Sequence, residues 1–143
     1  MKARSERPDS VLRTRLAGTG HRLTKQRLRI VEAFANQRRY VSARQLHARL
    51  RAQTSNIGLA TVYRTLETLR ELGLVTTSQH DGETLYLFCA PAHHHHAVCT
   101  HCGRVDDVPC RAVARFERML STGLRFRLMQ HQMEFYGLCA RCA

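Results

Sequence analysis

The sequence has no tryptophan, only three prolines and no apolar run near the ~20 residues that a membrane-spanning helix needs. Its N-terminus is basic and lacks the apolar segment of a secretory signal, so we expect the chain in the cytoplasm. That compartment is reducing, which disfavours disulfides. The six cysteines are therefore better read as metal ligands or free thiols.

Acidic residues are also scarce, and the resulting positive charge is unevenly spread. Residues 1–81 contain 16 Lys/Arg and 6 Asp/Glu, whereas residues 82–143 contain 7 and 5. A polyanion should therefore bind the N-terminal half. Residues 1–20 read as a basic arm with one short helix around Val11–Leu16.

The spacing of apolar residues after this arm predicts three helices and a hairpin. Thr24 can cap a helix over Lys25–Ala35, Ser42 and Gln45 form a capping-box pattern for a second helix, and a third helix follows Gly58. Two β-rich segments, Leu74–Gln79 and Glu83–Phe88, are joined through Asp-Gly. This order is typical of a winged helix-turn-helix; the alternative is a plain three-helix bundle.

In a winged helix-turn-helix the last helix enters the major groove of DNA. On the third helix, Thr61, Arg64 and Thr68 are predicted opposite the apolar Val62 and Leu66, with Tyr63 on the flank. An arginine can bond guanine in two places, and hydroxyl groups can hold phosphates. The predicted DNA-contacting residues are Thr61, Tyr63, Arg64, Thr68 and Lys25.

The remaining residues predict a second, small α/β unit. Ala97–Thr100 and Arg104–Val108 read as strands, Arg111–Ser121 as a helix, and residues 125–136 alternate as a strand would. The expected fold is α+β, with a DNA-binding domain over residues 1–88 and a dimerisation domain over residues 89–143. Dimerisation is expected because so small a sheet leaves an apolar surface and an edge uncovered.

Four cysteines lie in two Cys-x-x-Cys pairs that are separated by 36 residues. The pairs are Cys99/Cys102 and Cys139/Cys142, and four thiolates can close a tetrahedral structural zinc site. An iron centre of the rubredoxin type would use the same ligands. Redox catalysis is disfavoured because neither pair lies at a strand-to-helix turn. Cys110 is left unassigned: near a helix start it is a candidate for an activated thiol, and a packed small hydrophobe is the favoured alternative.

Several stretches together resemble the ferric uptake regulator superfamily. They are Leu23–Leu28, Val41–Ala43, Ile57–Leu66, the tract His93–His96 and both cysteine pairs. The resemblance covers nearly the whole chain from about residue 21. It implies a metal-dependent repressor that binds an inverted-repeat operator as a homodimer. It also places Tyr63 and Arg64 at DNA-contacting positions.

The same resemblance suggests which metal is sensed. Cys89 matches the position at which the zinc-uptake regulators of the superfamily have a regulatory cysteine, and a thiolate with imidazoles suits Zn²⁺. Alternate residues of a strand share a side, so His94 and His96 are predicted to join Cys89. For the fourth ligand we favour His80, with Asp81 and Asp107 as alternatives, since Thr76 stands where relatives have Asp or His. An iron- or peroxide-sensing repressor is the alternative function.

The histidines on the opposite side of the tract are candidates for a third metal site; the alternative is a solvated loop that binds metal only loosely. His93 and His95, with His131, match a second histidine-rich site of the superfamily. The glutamate that normally completes that site is replaced by Ala114, and Glu117 or Cys110 are the candidate substitutes. An enzyme is disfavoured because no glutamate is placed beside the tract to activate water.

Overall fold

The computed structural model describes residues 8–53, 56–89, 94–129 and 131–143. The chain divides into two compact units, Met1–Pro91 and Ala92–Ala143. The first contains α1 (Pro8–Leu16), α2 (Lys25–Ala35), β1 (Val41–Ser42), α3 (Ala43–Gln53), α4 (Leu59–Glu71), β2 (Val75–His80) and β3 (Glu83–Phe88). The second contains β4 (His94–Cys99), β5 (Val105–Pro109), α5 (Cys110–Gly123) and β6 (Glu134–Gly137). The predicted α+β class is confirmed.

Local side-chain contacts explain why the helices of the first unit begin where they do. The Thr24 hydroxyl accepts a hydrogen bond from the Arg27 amide and caps α2. Ser42 and Gln45 form a reciprocal capping box before α3, with hydrogen bonds of 3.0 and 3.2 Å. Gly58 precedes α4 without a side-chain cap. The predicted helix starts are confirmed.

The wing of the first unit is the hairpin β2–β3, with β1 on the other side of β3. Asp81 and Gly82 both have positive φ, 48° and 76°, as a tight hairpin turn requires. The pairing runs from His80 opposite Glu83 to Val75 opposite Phe88. His80 therefore lies at the tip of the wing, and Phe88 lies at its base.

An apolar core holds the helices and the wing of the first unit together. Phe34 is fully buried and meets Phe88 edge-on, with ring centroids 6.0 Å apart. The helices contribute further side chains that are 2% exposed or less, namely Ile30, Val31, Leu46, Leu50, Val62, Leu66 and Leu69. Burial of this kind contributes roughly 1.5–3 kcal/mol per large side chain.

The second unit is a three-stranded sheet in the order β5-β4-β6. β4, which begins within the histidine tract, is central: it pairs antiparallel with β5 and parallel with β6. The prediction of a strand throughout residues 125–136 is wrong, since β6 covers only Glu134–Gly137. The alternation at 125–129 instead accompanies irregular backbone, in which Phe126 and Met129 are both exposed.

Across the described residues, no helix combines the length and the apolar character that crossing a membrane requires.

Candidate metal centres and DNA-contact surface

The four-cysteine cluster is formed by the two turns that follow the strands of the second unit. Cys99 is the last residue of β4, and Cys139 lies two residues after β6. The four sulfurs lie within 4.8 Å of one another, and Cys102 Sγ is 3.7 Å from Cys139 Sγ. Zinc–sulfur bonds of about 2.3 Å in a tetrahedron place sulfurs about 3.8 Å apart. The spacing of these thiols thus fits a four-coordinate zinc ion.

Hydrogen bonds from backbone amides lower the pKa of one of these thiols, Cys99. The amides of Cys102 and Cys139 donate to Cys99 Sγ and lower the pKa of Cys99 to about 6. The Cys142 thiol has its pKa raised to about 12, first by its hydrogen bond with Cys139. A thiolate is therefore readily available at Cys99, whereas metal binding must displace a proton from Cys142.

The described histidines of the tract, His94, His95 and His96, point alternately to opposite sides of β4. His94 and His96 lie together, with their Nε2 atoms 3.1 Å apart. Burial lowers the pKa of His96, and the neighbouring His94 lowers it further. A lowered pKa favours the neutral imidazole, which is the form that binds metal. This pair is therefore suited to share one ion.

Two carboxylates flank this histidine pair. Asp107 Oδ1 is 3.7 Å from Nε2 of His94, and Glu134 Oε1 is 3.9 Å from Nδ1 of His96. Asp107 lies near the pair because its strand, β5, pairs with β4. Glu134 lies near the pair because its strand, β6, pairs with β4 on the other side. Glu134 was not among the predicted site residues, since nothing in the sequence signals the parallel pairing of β4 with β6.

Cys89 and His80, the two predicted regulatory ligands in the first unit, are not brought together. Cys89 is half-buried at the base of the wing, where its amide donates to the Leu74 carbonyl at 2.9 Å. His80 is at the tip, paired with Asp81 and largely exposed. Cys89 lies six positions after Glu83, which is about 20 Å along an extended strand. The hairpin register therefore argues against His80 as a co-ligand of Cys89 and corrects that choice.

A third cluster forms on the other side of β4. His95 is buried, and its Nε2 is 3.3 Å from Nε2 of His131. His131 Nε2 lies 2.8 Å from a Glu117 carboxylate oxygen. Glu117 is one helical turn after Ala114 on α5, so the same face of the helix supplies the carboxylate. His93, the other predicted member, lies outside the described residues.

The expected DNA-contacting residues lie on α4 and at the start of α2. Tyr63 and Arg64 are exposed, Thr61 is half-buried within 3.3 Å of the Arg64 guanidinium, and Lys25 is exposed at the first position of α2. The prediction that Thr68 contacts DNA is corrected by the structure. It is buried, and its hydroxyl donates to the Arg64 carbonyl at 2.9 Å. The inward face of α4 is thus wider than its leucines and valine indicate.

Known proteins match this chain over most of its length. Residues 18–136 match the Ferric uptake regulator family. The zinc uptake regulation protein of Mycobacterium tuberculosis is 38% identical over 128 residues, covering 89% of this chain and 98% of that protein. The ferric uptake regulation protein of Bacillus subtilis is 34% identical over 136 residues, covering 92% and 91%.

A solved structure of a zinc uptake regulator complexed with zinc and DNA has the same fold. It superposes with a TM-score of 0.65 at 28% identity, covering 92% of this chain and 90% of that chain. The family resemblance and the winged-helix prediction are confirmed. The prediction that the chain is not an enzyme is confirmed too, since the relatives are regulators. The chain belongs to the Ferric uptake regulator family and is a metal-responsive transcriptional regulator.

Proposed function

We propose that the protein is a zinc-responsive repressor. It binds an inverted-repeat operator as a homodimer when its regulatory zinc is bound, and it controls genes of zinc uptake and homeostasis. The observation that carries the proposal is the pair of imidazoles on β4, His94 and His96, whose Nε2 atoms are 3.1 Å apart. Zinc–nitrogen bonds of about 2.0–2.1 Å in a tetrahedron place ligand atoms about 3.3 Å apart.

The third regulatory ligand is Cys89, five residues before His94 in the chain. A thiolate beside two imidazoles is a softer set than the oxygen-rich ligands that suit Mn²⁺, and it favours zinc. Since relatives include zinc and iron regulators of similar identity, family membership leaves the metal open. The choice of zinc rests on the donor atoms.

Asp107 is the fourth ligand that we propose in place of His80. Its carboxylate is on the Nε2 side of His94, at 3.7 Å, where a shared ion would bind. Its side chain is 78% exposed, so it can turn toward the ion at little cost in packing. A water molecule can take the same position in sites of this kind.

Two further zinc ions have structural roles. The cluster of Cys99, Cys102, Cys139 and Cys142 would hold a zinc that fastens the C-terminal segment to β4, because its two pairs come from opposite ends of the unit. His95, Glu117 and His131 would hold the other, linking β4 to α5 and to the segment before β6. His93 is proposed as a further ligand there.

DNA binding is proposed through α4, with Tyr63, Arg64 and Thr61 at the groove and Lys25 on a phosphate. Homodimerisation is proposed through the second unit, which exposes many large apolar side chains. They are Phe116, Met119, Leu124, Phe126, Met129, Phe135, Tyr136 and Leu138. Zinc would select the relative orientation of two recognition helices that matches successive major grooves.

Metal analysis paired with DNA binding tests the proposal. The operator is first selected by the wild-type protein from random duplexes in the presence of Zn²⁺. Mild chelation should remove the regulatory zinc, retain the four-thiolate zinc and abolish tight operator binding. Zn²⁺ should then restore binding at lower free concentration than Fe²⁺ or Mn²⁺. Glu117→Gln tests the third cluster: the variant should bind one zinc ion fewer per chain and retain the other two.

Cys89→Ser is the decisive variant, and Cys110→Ser is its matched control. Cys110 starts α5 outside the three clusters that the described residues form. Cys89→Ser should need at least tenfold more free zinc for operator binding, whereas Cys110→Ser should behave as wild type. Zinc-dependent operator affinity that survives unchanged in Cys89→Ser would contradict the regulatory site.

A further inference from the structure

Glu134 is a carboxylate that neither the family resemblance nor the cysteine and histidine motifs assign. It is the first residue of β6 and is the register partner of His96 across the parallel pairing of β4 and β6. Its side chain is 17% exposed and that of His96 is 8% exposed. A carboxylate so shielded is costly unless it has a partner of complementary charge or a donor.

The two nitrogens of the His96 ring face different groups. Nε2 faces Nε2 of His94 at 3.1 Å, whereas Nδ1 faces Glu134 Oε1 at 3.9 Å. An ion shared by the two histidines would bind their Nε2 atoms. Glu134 is therefore on the Nδ1 side of the His96 ring, opposite the nitrogen that would bind the ion. Asp107 differs, because its carboxylate is on the Nε2 side of His94.

We propose that Glu134 positions His96 for the regulatory zinc by accepting a hydrogen bond from Nδ1–H. This inference rests on the proposed regulatory site. A ligand histidine whose second nitrogen donates to a carboxylate is fixed in one tautomer and one ring orientation, and it becomes a more basic ligand. Closing 3.9 Å to a charge-assisted hydrogen bond of about 2.8 Å needs a movement of about 1 Å.

The surrounding contacts hold Glu134 in place for this role. The Tyr136 hydroxyl donates to Oε2 of Glu134 at 2.5 Å, while Oε1 is the oxygen that faces His96. The backbone of β6 is fixed at its far end, where the Thr100 amide donates to the Gly137 carbonyl at 2.9 Å. β6 then leads within two residues to Cys139. The four-cysteine cluster therefore sets the position of a side chain that acts on the other site.

Glu134→Gln tests the proposal in the full-length protein. Glutamine keeps the shape but removes the negative charge. Zinc affinity at the regulatory site is measured by competition with a chromophoric chelator, after the four-thiolate zinc has been quantified. We expect affinity to fall by about 10–100-fold, with the four-thiolate zinc retained and with the thermal midpoint unchanged when only that zinc is bound. Glu83→Gln, an exposed carboxylate at the tip of the wing, is the matched control and should bind zinc as wild type.

Cobalt substitution separates positioning from direct ligation. If Glu134 acts behind His96, Co²⁺ in Glu134→Gln keeps the wild-type ligand-field spectrum while binding more weakly. A changed spectrum would make Glu134 a direct ligand and overturn the proposal, as would wild-type zinc affinity in Glu134→Gln. Tyr136→Phe provides a second variant should Glu134→Gln fold poorly, with a smaller loss of affinity expected in the same direction.

His96→Ala distinguishes a failure of this inference from a failure of the regulatory site. If His96→Ala loses regulatory zinc and Glu134→Gln does not, only the role of Glu134 is overturned. If His96→Ala also retains wild-type affinity, the regulatory site is not at this pair, and the role of Glu134 is overturned with it.

Discussion

The two units of the chain are stabilised in different ways. In the first unit, buried apolar side chains from four helices, α1 to α4, and from the wing form one cluster that includes Phe34. Among the described residues of the second unit, the buried hydrophobic side chains are Cys99, Val105 and Val113. The same unit buries His95 and His96 and exposes eight large hydrophobics. The first unit can thus fold through the hydrophobic effect, whereas we expect the second to need metal ions and a partner surface.

The largest predicted effect comes from removing one thiolate of the four-cysteine cluster. Cys102→Ser should lose the four-thiolate zinc and, because β4 carries ligands of the other two proposed sites, their zinc as well. Binding of a structural zinc contributes about 10–16 kcal/mol, which rivals the whole stability of a typical domain. Hydrogen exchange should show protection lost in β4, β5 and β6 but retained in α2, α3 and α4. Sedimentation should show a monomer. A Cys102→Ser chain that loses its metal yet stays a stable dimer would remove the basis for contrasting the two units.

The reverse experiment disturbs the apolar core. Phe34→Ala should destabilise the first unit by about 3–5 kcal/mol, because a fully buried aromatic ring is lost and a cavity remains. Zinc content should not change. Denaturant unfolding, monitored by hydrogen exchange of the amides in α2 and α4, gives the free energy of unfolding of the first unit. Phe126→Ala, which removes a ring that is 62% exposed in the second unit, should leave the stability of the first unit unaltered.

The smallest effects are expected at Arg64 and Lys25, the proposed DNA-contacting side chains, which are exposed and contribute little to folding. Arg64→Ala should weaken binding to the selected operator by about 1–3 kcal/mol and relax its sequence preference. Lys25→Ala should weaken binding to all sequences alike and reduce the salt slope by about 1. Titrations at several salt concentrations measure both effects. Equal loss on operator and random DNA for Arg64→Ala would exclude base recognition by this residue.

Much of the first unit was predictable because its signals are local. Thr24 and the Ser42/Gln45 box cap helices through residues three positions apart, and Asp-Gly forms a turn through its own backbone. The four-cysteine cluster was predictable for a related reason, since each Cys-x-x-Cys turn is local and four thiolates have few other uses. In these cases the chemistry of a short segment determines its structure.

The parts that were mispredicted or missed depend on which strands pair. The wing register separates His80 from Cys89, and the parallel pairing of β4 with β6 brings Glu134 to His96. Neither contact has a local signal. Thr68 was misplaced for a similar reason, because packing by neighbouring elements decides how wide the buried face of α4 becomes. Glu117 was one of two candidate substitutes for the missing glutamate at Ala114, and only its proximity to His131 and His95 in the structure favours it.

The repeated histidines of the tract raise the question of which histidine joins which proposed metal site. Four identical residues in a row cannot specify their own register, and a slip of one position would turn each imidazole to the opposite side of the sheet. What prevents the slip is the end of β4, where Val98 pairs with Val105 and Cys99 enters the thiolate cluster. The number of residues between each histidine and Cys99 therefore determines the side of the sheet to which its imidazole points. The position of the four-cysteine cluster thus fixes which side of the sheet His94, His95 and His96 face, and with it the proposed site that each one joins.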